Sequence, residues 1–171
     1  MAEMTRTRTR EPEPGKESNY EFCMRTTNEN LERGLNGKIV MRESELDWEI
    51  NRQGFLKYYL MGSKNPEAAL HSWMVFVHDV RKGSGKHIHQ GGLVLFILEG
   101  RGATECNGEI IEWEKGDCVL LPFHPDGVEH AHYNRGTEPA KWLAMIYFPI
   151  WDFVASEMTQ TRVNENFRAG A

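Results

Sequence analysis

The sequence predicts one all-β domain built as a sandwich or barrel. From residue 72 onward, short runs of apolar and aromatic residues alternate with turns at close spacing, which is typical of such folds. The pair Asn107-Gly108 lies between two of these runs and predicts a tight hairpin, because a type I′ turn needs positive φ at both residues. The chain has 171 residues, of which 40% are apolar, and a chain of this length forms one domain with a real core.

Seven or eight strands follow from this pattern. We predict them at residues 72–80, 86–90, 93–99, 103–106, 110–113, 117–121, 128–134 and 141–149. Glycine-containing turns separate most of them, including the 81–86 loop and the Lys115-Gly116 pair.

The remaining segments flank this β-rich region. Residues 1–18 lack an apolar pattern and are predicted to be a disordered tail. Residues 19–71 are predicted to form an N-terminal arm with short helices, one opening at Asn28 and stopped by Gly34, another starting at Asn65-Pro66. Residues 43–60 fit either a helix or an extended arm. Residues 151–171 are predicted to hold a short helix at 152–158 and a tail.

Composition excludes several functional classes. The formal charge of −5 argues against nucleic-acid binding, and no apolar run reaches the roughly 18 residues of a membrane helix. The three cysteines are widely spaced and form no CxxC pair, which argues against a disulfide framework or a zinc ribbon. Because the N-terminus also lacks the apolar core of a secretory signal, we expect a cytoplasmic protein.

Four of the seven histidines stand in two identical patterns. His87-Ile88-His89 and His130-Ala131-His132 each lie on a predicted strand, where residues i and i+2 point to the same face. If both strands face one interior, three or four imidazoles converge there. Imidazole binds iron, copper, nickel and zinc alike, so the ligand type does not name the metal.

These residues resemble the two metal-binding motifs of the cupin superfamily, over about residues 72–149. The first motif fits at His87, His89 and Gly100. The second fits at Gly116, Pro122 and the run Pro125-x-Gly127-x-x-His130-x-x-x-Asn134. The resemblance implies a cupin, or jelly-roll, β-barrel over residues 72–150 with a divalent metal on His87, His89 and His130.

Leucine occupies the place of the glutamate ligand of the first motif, at Leu93. Three neutral ligands leave a divalent ion its full charge and open positions for small ligands, as in non-haem iron enzymes. The segments HIHQGGLVLFILEG and EHAHYN are also similar in spacing to gentisate-like ring-cleaving dioxygenases. This resemblance implies an iron(II) dioxygenase that combines dioxygen with a hydroxylated aromatic or enolisable small molecule.

Two other functions remain open from the sequence. One is a cupin lyase, isomerase or hydrolase that uses zinc, manganese or nickel as a Lewis acid. The other is a non-catalytic module that binds a metal or a small ligand. His132 also has three open roles: catalytic general base, fourth metal ligand, or core histidine bonded to the backbone.

Strand alternation predicts the residues beside the metal. Leu93, Leu95 and Ile97 share one face of their strand, and Asn134 shares the face of His130. On the last strand two alternative sets of residues can face inward, and Trp142 belongs to one of them. Either set gives a substrate pocket with apolar walls, which favours an apolar or aromatic substrate. No arginine lies on the predicted ligand strands to bind a carboxylate. The resemblance to cupins further implies a homodimer.

Overall fold

The computed structural model describes residues 15–168. Residues 1–14 of the predicted disordered tail therefore lie outside the described residues. None of the helices found between residues 15 and 168 combines the length and the apolarity required to cross a membrane.

Eleven strands lie within the described range. In chain order they are β1 (Glu49–Asn51), β2 (Gly54–Met61), β3 (Trp73–Val80), β4 (Lys86–His89), β5 (Leu93–Glu99), β6 (Arg101–Cys106), β7 (Glu109–Glu114), β8 (Cys118–Leu121), β9 (Val128–Asn134), β10 (Ala140–Tyr147) and β11 (Thr159–Arg162). They form two antiparallel sheets, ordered β1-β2-β3-β10-β5-β8 and β11-β4-β9-β6-β7. This arrangement confirms the predicted all-β jelly-roll barrel.

The inner faces of the two sheets enclose the core. Along β5 and β10 the burial alternates, so that Leu95, Ile97 and Trp142 are at most 2% exposed whereas Phe96 is 41% exposed. This alternation decides between the two inward sets that the sequence left open on the last strand. Trp142, Ala144 and Ile146 face inward, and the intervening residues face outward.

Each predicted run from residue 72 onward is a strand, with boundaries that agree within two residues. Asn107 and Gly108 connect β6 to β7 with φ angles of 48° and 87°, which confirms the type I′ hairpin. The sequence pattern did not predict strands at β1, β2 or β11. β1 and β2 extend the six-stranded sheet from residues that precede 72.

The first helix is longer than predicted. Helix α1 spans Asn19–Asn36, and the prediction that it opens at Asn28 and stops at Gly34 is wrong. The Oγ of Ser18 accepts a hydrogen bond from the backbone N–H of Glu21 (3.1 Å), and this N-cap lies ten residues before Asn28. Gly34 stays within the helix, where a glycine costs only about 1 kcal/mol.

Two further helix predictions are wrong. Asn65 does not start a helix, because its side chain accepts the backbone N–H of Met61 (2.8 Å) at the end of a 3-10 helix, Gly62–Lys64. The second 3-10 helix spans Glu43–Glu45. The C-terminal helix α2 spans Phe148–Phe153 rather than 152–158, because Pro149 lies in its first turn and the positive φ of Ala155 (47°) is incompatible with its continuation.

Candidate metal centre

Strand β4 directs two histidines into the barrel. His87 and His89 alternate with the half-buried Lys86 and Ile88, so both imidazoles lie on the inner face. The ring centroids of His87 and His89 are 5.3 Å apart, and the two side chains are 8% and 1% exposed. One short strand therefore supplies two potential ligands.

The third histidine comes from the neighbouring strand. β9 pairs antiparallel with β4, and His130 lies directly opposite His87. The ring centroid of His130 is 4.2 Å from that of His87 and 4.7 Å from that of His89. One nitrogen from each of the three rings falls within 4.8 Å of the others, which is the spacing of a site that could hold a metal ion.

Hydrogen bonds orient these rings. Nδ1 of His130 lies 3.0 Å from the carbonyl oxygen of Val128, to which it donates, and this leaves the lone pair of Nε2 free. That Nε2 is buried and has no hydrogen-bond partner among residues 15–168, and the same holds for Nδ1 of His87. Buried polar atoms are normally paired, so the two unpaired nitrogens fit a bound cation.

His89 is held differently. The backbone N–H of Gly91 donates to Nδ1 of His89 (3.0 Å), so the neutral ring carries its proton at Nε2. To hold a metal through Nε2, the neutral ring would carry its proton at Nδ1 instead, in place of this hydrogen bond from Gly91.

Burial keeps the three histidines neutral, which is the form that binds a metal. It lowers the pKa of His87 to about 2, with further repulsion from His130 and His89 if charged. It lowers the pKa of His89 to about 3 and shifts the pKa of His130 in the same direction.

His132 is buried on the same strand, two residues beyond His130. Its side chain is 2% exposed, and its ring centroid is 5.6 Å from that of His130 and 4.8 Å from that of Trp142. Nδ1 of His132 is 2.9 Å from the hydroxyl of Thr104, which also accepts a hydrogen bond from Nε1 of Trp113 (3.0 Å). Its nitrogens are not part of the converging group of three.

A cavity of about 170 Å³ lies against these histidines. Leu93 and Trp142, which the sequence predicted for the pocket, line it together with all four histidines of the two His-x-His patterns. Most of the remaining wall is apolar and comes from Leu56, Tyr58, Met74, Phe76, Ile146 and Met158. Nε1 of Trp142 is buried without a hydrogen-bond partner in the described chain.

Three predicted pocket residues lie elsewhere. Leu95 and Ile97 face inward but are packed in the core beyond the cavity wall. The prediction is wrong for Asn134, whose amide donates to the carbonyls of Arg81 (3.0 Å) and Glu138 (2.7 Å) at the exposed end of β9. Its side chain closes a turn instead of reaching the cavity.

His78 is a further histidine of the site that was not predicted from the sequence. This residue on β3 is 2% exposed, lines the cavity, and has its ring centroid 4.8 Å from that of Trp142. Gly54 makes room for it, since a Cβ there would lie 2.6 Å from Nε2 of His78. Alternation places His78 on the same face as Met74 and Phe76, so the strand pattern contained the signal.

Residues 74–146 match the family model described as Cupin domain. A gentisate 1,2-dioxygenase of Ralstonia sp. is 37% identical over 65 residues. This match covers 37% of the present chain but only 18% of that enzyme's length, so the likeness is local.

Solved structures share the fold at low sequence identity. The polyketide cyclase RemF of Streptomyces resistomycificus has a TM-score of 0.54 at 12% identity, covering 75% of this chain and 89% of its own. A nucleoside dehydratase has a TM-score of 0.52 at 14% identity, covering 74% of this chain and 92% of its own. The salicylate 1,2-dioxygenase of Pseudoaminobacter salicylatoxidans, in adducts with gentisate, has a TM-score of 0.50 at 17% identity and covers 84% of this chain and 36% of its own.

The family match, the jelly-roll barrel and the three converging histidines agree with one another. Over residues 74–146 the chain is therefore similar to cupin domains.

Proposed function

We propose that the protein is a non-haem iron(II) dioxygenase acting on a small hydroxylated aromatic or enolisable compound. The observation that carries the proposal is the convergence of His87, His89 and His130 on one point of a cavity wall that contains no Asp or Glu among the described residues. The local identity to a gentisate 1,2-dioxygenase supports the same chemistry.

The neutral ligand set determines what the site attracts. Iron(II) held by these three imidazoles would supply a Lewis acid and a redox centre for substrate and dioxygen. Because no ligand offsets the ionic charge, an anionic chelating group is favoured in those positions. No Arg or Lys is present in the described cavity lining, so the metal would be the sole cation available to such a group.

The size and polarity of the cavity favour a compact ring. Its volume of about 170 Å³ is close to the roughly 150 Å³ of a protein cavity that binds benzene. The apolar wall suits the ring itself, and the unpaired N–H of Trp142 offers one hydrogen bond to a substituent. We therefore propose a single-ring substrate over a polycyclic one.

We propose His132 as the general base that deprotonates a substrate hydroxyl. When Nδ1 of His132 donates to the Thr104 hydroxyl, Nε2 is left with a free lone pair to take the proton. Burial, and repulsion from the neighbouring histidines if charged, hold the pKa of His132 well below its usual value, so the ring is neutral before it takes the proton. The alternatives, a fourth ligand or a core histidine, predict different effects of its removal.

The test is oxygen uptake by the iron-loaded protein. The full chain is loaded with iron(II) under anaerobic conditions and then mixed with dioxygen and, in turn, catechol, gentisate, salicylate and a β-diketone. We expect substrate-triggered uptake with at least one compound, and none with the His130→Ala variant treated in parallel. Absence of uptake with every compound would reject the dioxygenase proposal, and turnover under anaerobic conditions would favour a Lewis-acid lyase or isomerase instead.

A further inference from the structure

Helix α1 presents an apolar stripe that nothing in the described chain covers. Tyr20, Met24, Leu31 and Leu35 recur at the spacing of one helix face and are 71%, 46%, 60% and 71% exposed. None of the 18 residues of α1 is buried. Most helical stability in proteins comes from packing an apolar face, and the described chain supplies no such packing for this stripe.

The barrel carries a second uncovered apolar surface, on the outer face of the six-stranded sheet. Strands β10, β5 and β8 lie side by side there, and their registers align the outward residues in two rows. We call this surface the outer patch, and it consists of Leu143, Phe96 and Cys118 in one row and Met145, Val94 and Leu120 in the other. Phe96 and Leu120 are 41% and 67% exposed.

The N-terminal arm covers only the far side of this sheet face. Nζ of Lys57, on β2, lies 3.1 Å from a carboxylate oxygen of Glu43 and 4.8 Å from the ring centroid of Trp48. These contacts bury Lys57 to 6% exposure. The arm thus shields β2 and leaves the outer patch open at the β8 edge.

We propose that the protein forms a two-fold homodimer in which α1 of each copy packs across the outer patch of the other. Stripe and patch occur on the same chain, so one reciprocal contact covers both surfaces on both copies and closes the assembly. The resemblance to cupins implied a dimer without naming a surface. The stripe and the outer patch would form this contact whether or not the histidines bind a metal.

The available area reaches the lower limit expected of a biological interface, about 1,000 Å² in total. A helix of 18 residues is about 27 Å long and about 10 Å wide. In a reciprocal contact each copy buries one such footprint on its helix and one on its outer patch. The four footprints together amount to about 1,000 Å².

The charges of α1 favour a protein partner over a membrane. A helix that lies on an anionic membrane carries Lys and Arg on its polar face. The polar positions of α1 include Glu21, Glu29 and Glu32 alongside Arg25 and Arg33, which leaves no excess of positive charge.

Sedimentation velocity over a concentration series tests the dimer. We expect the full chain to sediment as a dimer, and Leu31→Glu in the stripe and Leu120→Glu in the patch each to weaken association at least about tenfold. Ile110→Glu is the matched control, because Ile110 is an exposed apolar residue (51%) on β7, outside the patch. Matching far-UV circular dichroism spectra and thermal unfolding midpoints of all four proteins will show that the substitutions leave the barrel folded.

Cross-linking identifies the surfaces in contact. Cys23 lies on α1 and Cys118 in the outer patch, and both are exposed. A bismaleimide added to a mixture of unlabelled and ¹⁵N-labelled protein is expected to link Cys23 of one copy to Cys118 of the other. A monomer at all concentrations, a dimer that resists both glutamate variants, or Cys23–Cys118 links confined to single chains would overturn the proposal.

Discussion

Thr104 and His132 lie directly opposite each other on β6 and β9, and the Thr104 hydroxyl is 2.9 Å from Nδ1 of His132. The same hydroxyl accepts the indole N–H of Trp113, so one buried oxygen satisfies two buried side chains. This small network holds the His132 ring against the cavity.

Replacing Thr104 with valine removes that oxygen while keeping the side-chain shape. We expect Thr104→Val to lower the free energy of unfolding by about 2 kcal/mol or more, because two buried polar groups lose their partner. Urea denaturation measures the change. Thr104→Ser retains the hydroxyl and is expected to lose less stability; a valine variant as stable as the serine variant would show that the network contributes little.

The histidines are expected to differ in their effect on metal content. His87→Ala and His130→Ala remove a ligand from the converging group, so each should abolish stoichiometric binding of iron(II) or cobalt(II) in equilibrium dialysis. His132→Ala should retain the metal but lose rate. His124→Ala serves as the control, because His124 is exposed on a loop. Metal loss in His132→Ala would identify that residue as a fourth ligand.

Leu93 offers a gain-of-ligand test, since it lines the cavity and is 4% exposed. Leu93→Glu introduces a carboxylate beside the imidazoles, and we expect it to bind a divalent metal at least about tenfold more tightly. The same carboxylate would occupy an open position and reduce substrate-dependent oxygen uptake. Leu93→Gln, neutral and of similar shape, should show neither effect, and equal affinity of the two variants would place residue 93 outside the reach of the metal.

The metal-free protein is expected to lose stability as the pH falls below about 6.5. Burial lowers the pKa of His78 and His89 to about 3 and that of His87 to about 2, whereas the unfolded chain has the ordinary value of 6.5. Between these values the unfolded state binds more protons, so stability is full above pH 6.5 and declines toward acid. Each such group contributes a slope of about 1.4 kcal/mol per pH unit.

Urea titrations from pH 7 to pH 5, where most carboxylates remain ionised, measure this slope. His78→Gln should reduce it by the contribution of one group, since glutamine does not titrate. A stability that is flat over this range would contradict the neutral, buried state of these histidines.

Local patterns identified much of the barrel before any three-dimensional information. The runs from residue 72 onward show strand alternation bounded by glycine turns, and the Asn107-Gly108 hairpin follows from backbone sterics alone. The segment around Asn65-Pro66 shows the limit of such signals. The Asn65 side chain was expected to cap a helix, but it accepts a hydrogen bond from the backbone N–H of Met61 instead. Similarly, β11 consists of the polar residues Thr159–Arg162, and only pairing with β4 makes it a strand.

The candidate site divides in the same way. The two His-x-His patterns place two imidazoles on one face of each strand, because side chains in a strand alternate, and this much the sequence determined by itself. The tertiary structure decided that β4 and β9 are neighbours, with His87 opposite His130, while His132 turns to Thr104 and His78 joins the cavity from the other sheet. Strand alternation is a local property, whereas strand order and register depend on which apolar faces pack together across the whole chain.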